Sequence, residues 1–249
     1  MSWNTSTDKI KQVLKNGTPK EIVSYLWYYF KWHFIILLLL IVMATDLIYT
    51  NVTAKEYVLQ GMFLNVLAEQ DISEKLENSY LSKHPIDFSS QDVFFDTSLF
   101  YSPDTDATSA TNAYETLQLI VARIIGGQSD FIVADAKTLA ILAYEGYYSE
   151  LANVLTEAQY IKYENHFLYY DRAYLEYLNT LSYDDTDISY PDPTKPELMV
   201  DPVPIMIDVS NSSILTDVYL GSNNTYGFAI IANGANLENT LKFIDHLMD

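Results

Sequence analysis

No cysteine occurs among the 249 residues, and basic side chains are scarce: 14 Lys and Arg stand against 33 Asp and Glu. The first absence excludes disulfides, a lipid anchor on Cys and thiolate metal sites. The second leaves a formal net charge of −19, and such a surface repels phosphate backbones, which argues against nucleic acid as a partner. The four histidines, His33, His84, His166 and His246, are scattered without ligand spacing. No nucleophile-elbow serine, phosphate loop or paired-glycine dinucleotide fingerprint is present, so no cofactor is expected and an enzyme is not the expected class. What the chain has in quantity is apolar and aromatic: 49% hydrophobic residues, ample for a core, and 21 tyrosines.

The charge is uneven. Residues 1–33 carry Lys9, Lys11, Lys15, Lys20 and Lys31 against Asp8 and Glu21, which leaves −22 on the remainder. An uncharged run extends from Trp32 to Thr45 and, continued to Tyr49, gives eighteen residues, roughly 27 Å of helix at about 1.5 Å per residue. Trp27, Tyr28, Tyr29 and Trp32 form an aromatic belt at its start. A core helix of a soluble protein would keep a polar face, which "FIILLLLIVMA" lacks. A cleaved signal peptide is the other alternative, but the small residues of "VTA" at 52–54 lie well beyond the apolar run. The expected organisation is a cytoplasmic helix in residues 1–24, with Thr18 as N-cap ahead of Pro19 and Glu21, then a transmembrane anchor at 25–50 and an extracytoplasmic α/β domain at 55–249. The lysines place the N-terminus inside, which makes a single-pass protein of the cell membrane.

Beyond Lys55, strand and helix patterns alternate. Strands are expected near 56–66, 92–97, 130–134, 202–208 and 226–232, and helices near 71–84, 113–125, 136–145 and 237–248, with Asn236 as cap of the last. Gly126 is expected to stop the helix before it in a left-handed conformation. "DFIVA" at 130–134 is apolar on both faces, as a central parallel strand should be. The β-α-β-α-β order implies a sheet flanked by helices on both sides.

Gly126-Gly127, Asp130-Phe131-Ile132-Val133, the following helix, Gly146-Tyr147-Tyr148 and Leu151, together with the ending "YGFAIIANGANLENTLKFIDHL", resemble the type II extracellular solute-binding proteins of ABC importers. The resemblance implies a periplasmic-binding-protein-like mixed sheet, a small-molecule ligand such as a sugar, and an ABC permease or another envelope membrane protein as partner. One departure is large. In that family the strand at Pro204-Ile205-Met206-Ile207 leads into a whole second lobe, whereas only residues 209–225 separate it here from the returning strand. Either residues 158–202 build a second wall, or there is no clamp and the chain is a structural or sensory envelope protein that has kept the fold and lost its ligand.

Ligands of open α/β sheets lie beyond the carboxyl ends of the strands, here the loops after Val66, Thr97, Ala134 and Ala232. Asp135 and Asn233 stand there, each able to bind a ligand or to cap the next turn. Tyr147 and Tyr148, after Gly146, complete the candidate ligand-binding set. The aromatic segment 160–178 could stack on sugar rings or bury against the sheet. Asp104, Asp106, Thr108, Asn112 and Glu115 fall at calcium-loop offsets, but Ser109 replaces the required glycine, so no metal is expected.

Overall fold

The computed structural model describes residues 11, 15–68, 71–101, 107–180, 189–220 and 223–248. The chain divides into two units, Met1–Ala54 and Lys55–Asp249. In the first, one helix, α1, runs from Pro19 to Thr53. The Glu21 carboxylate reaches back to accept from the Thr18 backbone N–H and hydroxyl, both at 2.9 Å, and Pro19 occupies the first turn, where its missing N–H removes no bond. The helix continues without a break through residues 24 and 25, so the first turns and the apolar run are one rod. Phe30–Thr50, 21 residues with mean hydropathy 2.1, covers about 31 Å, long and apolar enough to cross a membrane. Its side chains from Phe34 to Met43 are exposed.

The second unit is built on a six-stranded sheet, ordered β2-β1-β3-β6-β5-β4. The strands are β1 (Glu56–Phe63), β2 (Gln91–Asp96), β3 (Phe131–Asp135), β4 (Phe167–Asp171), β5 (Pro202–Asp208) and β6 (Tyr226–Ile230). β1 runs parallel to β2 and β3, while β6 is antiparallel to both β3 and β5, and β4 is antiparallel to β5. The carboxyl ends of β1, β2, β3 and β5 therefore share one edge of the sheet, and those of β4 and β6 lie at the other. The sheet is thus mixed, and helices cover both faces.

Period-two alternation decides which side chain serves which face. Phe131 and Val133 of β3 join a core with α2 (Ile72–Lys83), α5 (Leu151–Val154), α6 (Glu157–Tyr163), α8 (Ser213–Val218) and α9 (Leu237–Met248). Ile132 and Ala134 join the opposite core with α3 (Ala107–Ile125), α4 (Ala136–Ala143) and α7 (Arg172–Leu178). At the centre of the first core the Phe131 ring is stacked between Phe228 at 4.7 Å and Phe243 at 4.9 Å, with Phe63 and Phe95 edge-on. Across the same layer, Asp245 of α9 accepts from both Tyr163 and Lys162 of α6.

The described residues of 158–202 extend the sheet rather than build a second lobe. They supply α6, β4 and α7, and among its described residues the loop between β5 and β6 contains only the short α8. The tyrosines of this segment are mainly structural: Tyr163 and Tyr170 are buried, and Tyr174 packs on Tyr144 and Tyr190.

The end of α3 differs from expectation in one detail. Gln128 N–H donates to Arg123 O at 2.8 Å and Gly127 N–H to Ile124 O at 3.1 Å, the paired bonds of a Schellman ending. The left-handed residue of this motif is Gly127, with φ +64, and Gly126 is the residue before it. A Cβ on Gly127 would meet nothing within 4 Å, so only the backbone conformation resists a side chain. Gly127→Ala should lower stability by about 1 kcal/mol, more than Gly126→Ala, in paired denaturant melts. Equal effects would disprove this assignment.

Asp171 closes β4 and is buried. Its carboxylate accepts from the backbone N–H groups of Val200, Asp201 and Ala173 at 2.9–3.1 Å. Burial alone would raise its pKa, but these backbone donors together outweigh it and hold the carboxyl below its ordinary range. A depressed folded-state pKa contributes stability above the unfolded value, near 3.9, and loses it as pH falls through the folded value. Asp171→Asn should accordingly flatten the decline of stability as pH falls below about 4. An unchanged acid limb in urea melts across that window would refute it.

Candidate ligand site at the carboxyl edge

β3 ends at Asp135, and α4 begins with the next residue. Asp135 Oδ1 accepts from Thr138 N–H at 3.0 Å, an N-cap bond that satisfies a free amide of the first helical turn. The turn also projects Lys137. Facing it are Asn224 and Thr225, which lead into β6, and the Asp192-Pro193-Thr194 turn. Together they enclose a polar cleft of about 260 Å³. A second cleft, of about 360 Å³, shares Lys137, Asp192 and Pro193 and continues along α4 past Ala140 and Ile141 to Tyr190.

The electrostatics of the cleft are mixed. Asp192 accepts from Thr194 N–H and Oγ1 at 3.0 and 2.7 Å, and pairs with Lys195 at 2.8 Å. The lysine bond first, then the threonine bonds, bring the Asp192 carboxyl down to about 2, so it is ionised at any physiological pH. One oxygen of Asp135 and both oxygens of Asp192 are thus engaged within their own turns. Lys137 contributes a cation, and Thr194, Thr225 and Asn224 contribute hydroxyl and amide groups. This set is suited to holding a small hydroxylated or zwitterionic molecule through hydrogen bonds.

Asn233, Tyr147 and Tyr148 are elsewhere. β6 is antiparallel to β3, so the residues after it emerge at the opposite edge from Asp135, a full strand of about 15 Å away. Asn233 Nδ2 donates to Ile124 O at 2.7 Å, tying the end of α3. Ala232 N–H donates to Tyr147 O at 2.9 Å, and Tyr148 bridges to Ile231. The Tyr148 ring is buried, and its hydroxyl has no hydrogen-bond partner among the described residues. Burial, with a smaller contribution from Tyr101, pushes its pKa well above the ordinary tyrosine value. These three residues join the α3 end and the α4–α5 connection to β6, and they share no cleft with Asp135.

The same edge explains the "D-hydrophobic" signature. The buried Asp130 carboxylate accepts from Gln60 N–H at 2.8 Å on β1 and from Asn236 N–H at 2.9 Å at the entry to α9. The Asn236 side chain donates to Asp130 and to Tyr57 O, so the residue that leads into α9 is held by a carboxylate from the start of β3. Asp130 is therefore a buried joint between three elements, and the cavity it lines, of about 50 Å³, has room for little more than a water molecule.

Sequence reasoning missed Lys137, Thr194, Asn224 and Thr225. The packing of the Asp192-Pro193-Thr194 turn against the first turn of α4 carries no periodic signal in the sequence. Asp104 and Asp106 of the acidic stretch lie outside the described residues. Among the described residues, no three His, Asp or Glu side chains converge as a metal site. No protein family, curated protein or solved structure matches this chain.

Proposed function

We propose that this chain is a single-pass envelope protein whose extracytoplasmic α/β unit descends from the solute-binding-protein plan and acts as a structural or sensory partner of another membrane protein, without catalytic or transport-receptor activity. The observation that carries this reading is the short β5–β6 connection, residues 209–225, whose described residues hold one short helix. Clamshell capture of a solute needs two lobes and a hinge, and the described residues of the segment that would have to supply the second wall add β4 and α7 to the same sheet unit. The parallel β2-β1-β3 order with an antiparallel strand returning beside β3 supports the ancestry.

A second reading is favoured by the polar cleft at Asp135: direct binding of a small hydroxylated solute, held openly and hence weakly. Two measurements separate them. Purification from native membranes after mild crosslinking should yield a defined membrane-protein complex, and a thermal-shift panel of sugars and amino acids should leave the unit's melting temperature unmoved. A reproducible rise of several degrees with one solute, abolished by Lys137→Ala, would overturn the first reading in favour of the second. Orientation is tested on intact cells, where external protease should digest the acidic unit and spare the lysine-bearing N-terminus. Protection of both ends would refute it.

A further inference from the structure

Asp46 is the one acidic residue of the apolar span Phe30–Thr50. With α1 across a bilayer, an Asp46 standing at the surface would leave the uncharged run from Trp32 to Thr45 to bridge the hydrocarbon alone. Those fourteen residues make only about 21 Å of helix, against a hydrocarbon thickness of about 30 Å. Leu47, Ile48 and Tyr49 continue the apolar surface past Asp46, all of them exposed, on a helix that runs unbroken to Thr53. The carboxyl therefore lies within the hydrocarbon, roughly 6 Å short of the end of the span. At the opposite end, Lys31 stands one residue into the span and is long enough to reach the interface, and His33 packs edge-on against Phe30. The short Asp46 side chain has no such reach.

Nothing within α1 answers this carboxyl. The protons of the neighbouring hydroxyls are spent on their own helix, since Thr45 Oγ1 donates to Ile41 O at 2.8 Å and Thr53 Oγ1 to Tyr49 O at 2.7 Å. The nearest cation of α1, Lys31, stands fifteen residues away, about 22 Å along the axis. An ionisable group in hydrocarbon is costly unless another segment receives it. Apolar side chains do not select a face of a helix in lipid, which is as apolar as they are, so Asp46 marks the side that is covered. Leu39 and Thr53, seven residues before and after it, and Val42, four before it, share that side of the helix. Leu37 and Ile41 lie on the opposite one.

We propose that α1 pairs in parallel with the same helix of a second copy of this chain, the two Asp46 carboxyls hydrogen-bonded across the seam, one protonated as donor and the other accepting. The inference rests on the membrane-spanning reading of α1 and goes beyond the proposed function, which names another membrane protein as partner. A second copy is the occupant that the sequence itself qualifies. It enters the membrane in the same direction, so its carboxyl stands at the identical depth, and a two-fold axis between the helices brings like residue to like residue. A helix of another protein would need a polar group at that one level. One polar position on an otherwise apolar seam also fixes the register of the pair.

The absence of cysteine makes single-site crosslinking direct. The purified full chain is reconstituted at high dilution in phosphatidylcholine liposomes with one introduced thiol and oxidised with membrane-permeant iodine: Leu39→Cys or Val42→Cys on the Asp46 side, Leu37→Cys or Ile41→Cys on the other. Disulfide-linked dimer should form at least about threefold more with the first two than with the second two, and Asp46→Ala should lower the Leu39→Cys yield at least about threefold. Asp46→Asn, which keeps a donor and an acceptor, should preserve that yield. Equal yields at all four positions would overturn the seam, and a Leu39→Cys yield unmoved by Asp46→Ala would overturn the pairing through Asp46. Monomer at all four positions would overturn the second copy in favour of a helix of another protein with a Lys or Arg at this depth, leaving the proposed function intact. Release of the chain from the liposomes by alkaline washing would overturn the membrane span and the pairing with it.

Discussion

Asp130→Ala is expected to remove about 2–4 kcal/mol from the stability of the α/β unit, because the Gln60 and Asn236 amides both lose their acceptor and an unmet buried donor costs about 1–3 kcal/mol. For a unit of this size that corresponds to roughly 5–15 °C in Tm. The loss is not confined to one contact, since β1, β3 and the start of α9 meet at this carboxylate. Denaturant melts should show a lower midpoint with an unchanged slope, the mark of a changed stability rather than a changed unfolded state. A loss under about 0.5 kcal/mol would mean that water replaces the carboxylate at no penalty, and that the joint is dispensable.

Gly61→Ala should be comparably damaging for a different reason. A Cβ at Gly61 would fall 2.0 Å from Phe131 Cζ, and that ring is itself confined between Phe228 and Phe243. It cannot turn aside without disturbing the whole aromatic layer, so about 3 kcal/mol of overpacking strain is expected. The double variant Gly61→Ala with Phe131→Leu supplies the control, because the shorter side chain withdraws the atoms that collide. The two changes should then be less harmful together than their sum by at least about 1 kcal/mol. Strict additivity would show that the cost at Gly61 arises from backbone conformation and not from the ring.

Much of the sheet was legible because its strands announce themselves locally. Phe131–Asp135 and Tyr226–Ile230 are short apolar runs between turn residues, and the helices after them carry a clear apolar face. β4 was not legible. "FLYYD" lies inside a tyrosine-rich stretch between two helices, and its alternation is only two residues deep on each face. The capping box of Thr156 with Gln159 was available as a signal for α6. The direction of β6 was the costliest gap for the site. Antiparallel and parallel central strands have the same composition, and treating the loop after Ala232 as a neighbour of Asp135 placed Asn233 at the wrong edge. Tyr147 and Tyr148 followed a turn whose destination depended on that same pairing.

The position of β6 also bears on how the protein is made. The last strand of the chain occupies the interior of the sheet, between β3 and β5. Until the ribosome has delivered Tyr226–Ile230, the growing polypeptide holds two separate half-sheets, β2-β1-β3 and β5-β4, each with a raw hydrogen-bonding edge where β6 belongs. The sheet therefore cannot close before β6 is made, and long-range closure of this kind is slow. A messenger truncated shortly before this strand would release an aggregation-prone fragment rather than a smaller working domain. Quality-control proteases acting on such a chain would in effect read whether β6 has inserted.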